Sequence, residues 1–316
     1  MSKNKRYLFK FNKMKKILII KHGSLGDLIL SFGAIKTIKH YFPKANLFLL
    51  TQTNFKEIFK DLPYVDNIFE DNRNKNLLSV VNYLKIINEY NIDLVVDLQN
   101  SKRTQIYHFF SKLFSKTKTL SARKFSHYRY QQQSLGIQHI TNNHKDQLKC
   151  LGIDNYYSTD LSWMSKSHKF KEKYAVIIPG ASKTGEYKKW PIQKYADVSN
   201  YLIKKNFKVF LTGSPLDKDD IDLIIRLSPQ AKDMTHESKI DVFYDLCLYS
   251  DIIISNDTGP AHIAGLTNQD LIWLANDNKI SRSCYPLGNK VHKILSKNVK
   301  DIETNDELKK IDQIII

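Results

Sequence analysis

The chain has 316 residues, 42% hydrophobic and 26% charged, enough for two domains with cores of their own. It contains no apolar run of the roughly 18 residues that a transmembrane helix needs, and no apolar stretch follows the basic N-terminus as it would in a secretory signal. Of the net charge of +17, nearly all lies in residues 1–150, which hold 26 Lys/Arg against 10 Asp/Glu; the remainder holds 23 against 22. A first half this basic is expected to meet an anionic partner, whether nucleic acid, an acidic lipid surface or an acidic substrate, unless its lysines serve solubility alone. Cys150, Cys247 and Cys284 are far apart and form no metal-type spacing, so they read as reduced, structurally buried thiols of a cytoplasmic protein.

Residues 1–14 form a basic, aromatic tail without an acid. Lys16 to Ile20 is a short apolar run expected as a buried strand. The turn His22–Asp27 follows, and Leu28, Ile29, Phe32, Ile35 and Ile38 then recur at helical spacing up to Tyr41, with Pro43 as the stop. Further strands are expected at 47–50, 67–69, 94–97 and 117–120, and helices at 76–90 and 100–115. Strands alternating with helices predict a parallel sheet with right-handed crossovers. From Ser101 to Lys145, Lys102, Arg103, Lys112, Lys116, Arg123, Lys124 and Arg129 mix with Tyr107, Phe109, Phe110, Phe114, Tyr128 and Tyr130. This reads either as a surface for an acidic amphiphile or membrane, or as a solvated helix with its aromatics in the core. Residues 154–172 are polar and turn-rich and read as a linker. The second half predicts strands at 174–178, 208–212, 251–254 and 270–275. Its helices are expected at 191–205 with Pro191 in first position, 217–227, 239–249 behind a Ser238/Asp241 capping box, 260–266 and 305–313. The organisation is a tail (1–14), a first α/β domain (15–160), a second (161–300) and a final helix (301–316), with ligands expected in a cleft between the two domains.

Three strand-end loops of the second half would open at one edge of a parallel sheet, the ligand edge of an open α/β fold. Gly180 would let the backbone approach a ligand, with Ser182 and Thr184 as small donors and Lys188 as a mobile charge for a diphosphate; the plain alternative is a surface loop with Trp190 packed beneath it. Asp217, in Thr212–Asp217, could meet a ribose or serve a helix N-terminus. Ser255–His262 places a polar turn between a strand and a helix. Thr258 and Gly259 could present backbone N–H groups to a phosphate, or Asp257 and Thr258 could merely cap the helix. In the first half, Gly23–Asp27 matches neither G-x-G-x-x-G nor a P-loop, which argues against an oxidoreductase. A carboxylate at the helix start repels phosphate, so Asp27 reads either as an ionised base at the cleft or as an ordinary first-turn acid. Recognisable RNA-stacking motifs are missing, so nucleic acid is not the expected partner.

Three segments resemble glycosyltransferase family 9, the ADP-heptose:lipopolysaccharide heptosyltransferases and relatives. They are Ile17–Asp27, Ile178–Ser182 with Lys188–Pro191, and Ser255–Ala264; His144, Gln147 and Leu151–Ile153 add a fourth, shorter match. The resemblance implies a GT-B architecture, two Rossmann-like α/β domains facing across a cleft, and inverting transfer without a catalytic metal or other cofactor. It places the acceptor on the N-terminal domain, with Gly26, Arg103 and Arg123 on the acceptor side and Asp27 as general base. It places a nucleotide sugar, ADP-linked in the family, on the C-terminal domain, with Lys188 at the phosphates, Asp257, Thr258, Gly259 and His262 in the donor turn, and Asp217 at the ribose. The implied partners are that nucleotide sugar and an anionic glycolipid, met in the cytoplasm with peripheral contact at the inner membrane. One segment departs: Ile272–Asn278 lacks the family's aromatic-Gly-Pro-Thr-like pattern. The alternative function is therefore a nucleotide-sugar-binding relative with an altered donor or without transfer.

Overall fold

The computed structural model describes residues 14–71, 77–131, 137–168, 172–182, 184–237 and 239–315. The chain divides at Trp163/Met164 into two compact units. The first contains β1 (Lys16–Ile20), α1 (Leu25–Tyr41), β2 (Asn46–Thr51), α2 (Thr53–Ile58), β3 (Asn67–Glu70), α3 (Leu78–Glu89), β4 (Leu94–Asp97), α4 (Lys102–Phe114), β5 (Lys118–Ser121), β6 (Tyr128–Arg129) and α5 (Ile140–Lys149). The second contains β7 (Tyr174–Ile178), α6 (Ile192–Lys204), β8 (Lys208–Leu211), α7 (Lys218–Leu227), β9 (Lys232–Asp233), α8 (Ile240–Leu248), β10 (Ile252–Asn256), α9 (Gly259–Gly265), β11 (Asp270–Asn276), α10 (Lys279–Ser283), β12 (Val291–Ser296) and α11 (Thr304–Ile314).

Each unit has a six-stranded, wholly parallel sheet, ordered β3-β2-β1-β4-β5-β6 and β12-β11-β10-β7-β8-β9. Counted from the first strand of each unit, the order is the same in both. The central strands β1, β7 and β10 are buried along nearly their whole length. Helices cover both faces of such a sheet, which is why these strands read as unbroken apolar runs rather than as alternating ones. β1 pairs with β4 from Ile17↔Leu94 to Ile20↔Asp97, and β7 pairs with β10 from Ala175↔Ile252 to Ile178↔Ser255. At these two junctions the strand order reverses, and the loops leaving the carboxyl ends of the paired strands form each sheet's ligand edge.

Several sequence expectations change. The candidate linker 154–172 contains the boundary between the units, and its described residues on either side are each held by their own unit. Tyr156 and Tyr157 lie over Gly33 on α1, where a Cβ would stand 2.9 Å from the Tyr156 ring. Thr159 Oγ1 accepts from Gly33 N–H at 3.1 Å, and Tyr157 N–H donates to Thr37 Oγ1 at 2.9 Å. On the far side of the unit boundary, Asp245 Oδ2 accepts from the backbone N–H of Lys166 and of His168. Pro191 is the N-cap of α6 rather than its first helical residue. α8 starts after Lys239 without a side-chain cap, and Ser238 lies outside the described residues. Of the cysteines only Cys247 is fully buried. α2, β6, α5, β9, α10 and β12 had no counterpart in the sequence reading. β12 alternates half-buried and exposed residues at a sheet edge, and α5 buries Thr141, His144 and Gln147, so neither shows an apolar period.

α11 packs on α6 and carries Glu307 in its first turn, fully buried, with neither carboxyl oxygen hydrogen-bonded among the described residues. Burial pushes this carboxyl up to about 8 from 4.5. A carboxyl that holds its proton more tightly when folded supports folding fully below its unfolded value; that support is lost as pH rises from 4.5 through about 8. Glu307→Gln is expected to flatten this slope in chemical denaturation and to raise stability at pH 7 by about 2–3 kcal/mol. An unchanged slope would show that folding does not shift the titration of Glu307.

Candidate functional site

In the second unit the candidate residues gather at the carboxyl ends of β7, β8 and β10. Asn256, the last residue of β10, is fully buried and holds this edge together. Its Nδ2 donates to Pro179 O at 2.5 Å, while its Oδ1 accepts from Trp190 N–H at 3.1 Å and from the Tyr195 hydroxyl at 2.7 Å. One carboxamide thus fixes both ends of the 179–190 loop and the first turn of α6. Trp190 is packed beneath the loop and donates its indole N–H to Ile302 O. Between these ends the chain makes two tight turns, with Gly185 N–H bonded to Ser182 O and Lys188 N–H to Gly185 O. Ser182 and Thr184 are left exposed.

These turns carry Lys188 to Asp257, with Nζ 2.7 Å from Oδ2. Neither Asp257 nor Thr258 caps α9: the Asp257 carboxylate is turned to Lys188, and Thr258 sits at the N-cap position without a side-chain bond. Pro260 has no N–H and Ala261 N–H is bonded to Thr258 O, so the donors open to a ligand at this turn narrow to those of Thr258 and Gly259. His262 is buried one turn on.

Asp217 joins the same edge. Its Oδ2 accepts from Ser214 N–H at 2.8 Å and from Ser214 Oγ at 2.7 Å, a reciprocal cap. Its Oδ1 is buried with no hydrogen-bond partner among the described residues. A Cβ at Gly180 would stand 2.4 Å from that oxygen, so the glycine is required by the Asp217 carboxylate rather than by a ligand alone. The departing segment has a structural task. Asn276 Nδ2 donates to Tyr187 O at 3.1 Å, next to Lys188, while its Oδ1 accepts from Val299 N–H. Asn278 caps α10 through the N–H groups of Ile280 and Ser281.

In the first unit Asp27 is the third residue of α1 and forms a capping box with Ser24. Ser24 N–H donates to Asp27 Oδ2 at 3.1 Å, and Asp27 N–H points to Ser24 Oγ at 3.5 Å. The carboxylate remains half-exposed, and Gly26 is buried in the same turn. Behind them lies a buried polar network that sequence reasoning missed. Asp71 Oδ2 meets His22 Nε2 at 2.7 Å and accepts from the Tyr107 hydroxyl at 2.5 Å. Asp97, at the end of β4, meets His108 Nε2 at 2.9 Å and accepts from Ser121 Oγ and from the N–H groups of Gln99 and Asn100. Burial works to raise the Asp97 pKa, but these bonds and the His108 charge outweigh it, so the carboxyl lies below its usual value.

Arg103 lies against the Tyr107 hydroxyl, and Arg123 Nε donates to Asn100 O at 2.5 Å. Neither interaction includes Asp27. Arg123 and Arg129 border a pocket of about 470 Å³ with Asn100 and Tyr130. Lys21, directly after β1, is only 4% exposed; its N–H donates to Leu50 O at 3.1 Å, while its ammonium has no hydrogen-bond or ion-pair partner among the described residues. His144 is held neutral, pushed down to about 3 by burial and by the Lys21 charge. Among the described residues no three His, Cys, Asp or Glu side chains come together as a metal-ligand set.

Removing the Asn256 carboxamide would strand the Trp190 N–H, the Tyr195 hydroxyl and the Pro179 carbonyl in a buried site. Asn256→Ala is expected to cost about 2–4 kcal/mol in denaturant unfolding. A loss below about 0.5 kcal/mol, the level of an ordinary surface substitution, would mean that the edge does not depend on this side chain.

Comparison with known proteins bears on the family and the fold. The model of glycosyltransferase family 9 (heptosyltransferase) matches residues 82–312. Lipopolysaccharide heptosyltransferase 3 of Escherichia coli is 22% identical, over 89% of this chain and 89% of its own. Lipopolysaccharide heptosyltransferase 1 of Campylobacter coli is 24% identical, over 92% and 91%. The solved structure of the E. coli ADP-heptose lipopolysaccharide heptosyltransferase II superimposes with a TM-score of 0.75 at 16% identity, covering 95% of this chain and 98% of that one. The chain has an α/β fold of the GT-B class, with two parallel six-stranded sheets. The chain belongs to glycosyltransferase family 9, the heptosyltransferases.

Proposed function

We propose that this glycosyltransferase moves a heptose-like sugar from an ADP-linked donor to an anionic, lipopolysaccharide-type glycolipid, by inverting displacement and without a metal. The observation that carries the reading is the Lys188–Asp257 pair, which brings two donor loops 69 residues apart to one point at the sheet edge. The names of the relatives, lipopolysaccharide heptosyltransferases and an ADP-heptose enzyme, support this choice of substrate classes.

The second unit takes the nucleotide. The Thr258 and Gly259 N–H groups and the Lys188 ammonium receive the diphosphate, with Ser182 and Thr184 beside it; the unpaired Asp217 Oδ1 accepts from a ribose hydroxyl, and His262 backs the turn. The first unit takes the acceptor, with Arg103 and Arg123 toward its anionic groups and Gly26 leaving room at the first turn of α1. Asp27 removes the proton of the acceptor hydroxyl as its oxygen attacks the anomeric carbon. The bond from that carbon to the diphosphate oxygen breaks, and its electron pair leaves with ADP. Lys188 and the two N–H groups stabilise the charge that develops there, each such donor contributing about 10²–10³-fold. Lysine and backbone N–H groups then supply the positive potential that a metal ion would otherwise provide. A second reading, a nucleotide-sugar binder with a changed donor or none of the chemistry, draws on segment 276–278, whose asparagines are engaged in tethering and capping.

Asp27→Asn keeps a carbonyl oxygen for the Ser24 N–H, so the start of α1 is expected to stay intact. In an assay with ADP-heptose and a lipopolysaccharide-core acceptor it should lower transfer by about 10²–10⁴-fold while nucleotide binding persists. Equal loss of binding and transfer would contradict the base role. Lys188→Ala should raise the donor KM and lower kcat/KM for the donor by about 10²-fold; unchanged donor kinetics would remove Lys188 from the phosphate site.

A further inference from the structure

α4 faces the wrong way for a helix of a water-soluble core. Its inward side is Thr104, Tyr107, His108 and Ser111, all buried, and it carries the hydrogen bonds to Asp71 and Asp97. Its outward side is Ile106, Phe109, Leu113 and Phe114, which are 47, 40, 59 and 61% exposed. Ile106, Phe109 and Leu113 fall at i, i+3 and i+7 and so form one stripe along the helix. Phe125, exposed in the loop after β5, extends it: its ring meets that of Phe109 edge-on at 5.2 Å, and Phe110 stacks on Phe114 at 6.1 Å. Contiguous exposed apolar surface of this kind marks an interaction face.

The charge around the stripe is predominantly positive. Lys102, Lys112, Lys116, Lys118 and Lys124 are all exposed, and the sequence from Leu98 to Lys145 contains no Asp or Glu. Met14, where the described chain begins, shares a shallow pocket with Leu113, Phe114, Lys116, Lys118 and Asp93, whose carboxylate is engaged by the N–H groups of Lys15 and Lys16. The 13 residues that precede it in the sequence include five Lys/Arg and no acid.

We propose that the outer face of α4 is a docking surface for an anionic phospholipid bilayer. Ile106, Phe109, Leu113, Phe114 and Phe125 enter the boundary between headgroups and acyl chains, and the surrounding lysines meet the lipid phosphates. Among the described residues no helix is long and apolar enough to cross the bilayer, so the contact is peripheral. A second copy of the chain fits less well, because an isologous pairing would set these lysines against one another. RNA would satisfy the lysines but leave Ile106 and Leu113 facing water. The proposal does not depend on the transfer reaction.

The test is sedimentation of the full-length protein with vesicles of phosphatidylcholine alone and of phosphatidylcholine mixed with phosphatidylglycerol. The protein is expected to sediment with the mixed vesicles, to stay in solution with phosphatidylcholine, and to be released by salt. Phe109→Ser with Leu113→Ser, both at exposed positions, should weaken binding by at least about tenfold with an unchanged circular dichroism spectrum. Lys112→Glu with Lys116→Glu should weaken it through charge alone. Failure of the wild type to bind mixed vesicles, or binding by either double variant as tight as that of the wild type, would overturn the proposal. So would RNA binding in place of vesicle binding, or a dimer in light scattering that Phe109→Ser with Leu113→Ser abolishes.

Discussion

The second unit depends on one buried side chain, the Asn256 carboxamide at the carboxyl end of β10. A parallel sheet ends in loops whose backbone groups must be satisfied away from water. Asn256 meets two such groups, Pro179 O and the Trp190 N–H, together with the Tyr195 hydroxyl, and so sets where the 179–190 loop leaves the sheet and where α6 begins. Lys188 is placed by that loop, and Asn276 secures the loop's middle at Tyr187. The first unit meets the same need at the corresponding strand end. Asp97, the last residue of β4, accepts from His108, Ser121, Gln99 and Asn100, and Asn100 in turn holds Arg123. In both units the polar residue that ends the strand at the reversal of strand order organises the ligand edge.

The two edges differ in charge. In the second unit the described lysines of the 179–190 loop are matched: Lys188 by Asp257, Lys189 by Asp220 and Glu186. Partly exposed pairs like these add little to stability; their consequence is to hold the lysine in place without a large local excess of charge. In the first unit the positive groups Lys21, Arg103 and Arg123 outnumber the acids open to ligand, because Asp71 and Asp97 are engaged inside the network. An electropositive edge suits an anionic acceptor. An edge whose described lysines are paired suits the proposed diphosphate, which would take over Lys188 from Asp257.

The fold was legible wherever burial is apolar. β1, β7, β10 and β11 are continuous runs of Ile, Leu and Val, and α1 shows its core stripe directly. It was not legible where buried faces are polar. α4 and α5 turn Thr104, Tyr107, His108, Thr141, His144 and Gln147 inward, so the aromatic residues of segment 101–145 could not be sorted into core and surface by periodicity. Tyr107 and Tyr130 proved buried, Phe109, Phe114 and Phe125 exposed. Of the candidate site, the three strand-end loops and their shared edge were readable from turn residues following apolar runs. Asn256 stood in the quoted motif without a role, because its hydrogen bonds run to residues 61 to 77 positions away. The Asn276–Asn278 departure likewise acquires its tethering role only through contacts with Tyr187 and Val299.

The central claim is that the second unit is built for an ADP-linked donor. Thermal unfolding of the purified protein with ADP, UDP and GDP in turn tests it most directly, because a nucleotide that binds only the folded state raises Tm by mass action. The account predicts a Tm rise selective for ADP that Lys188→Ala reduces. A rise selective for UDP or GDP, or none with any of the three, would contradict it.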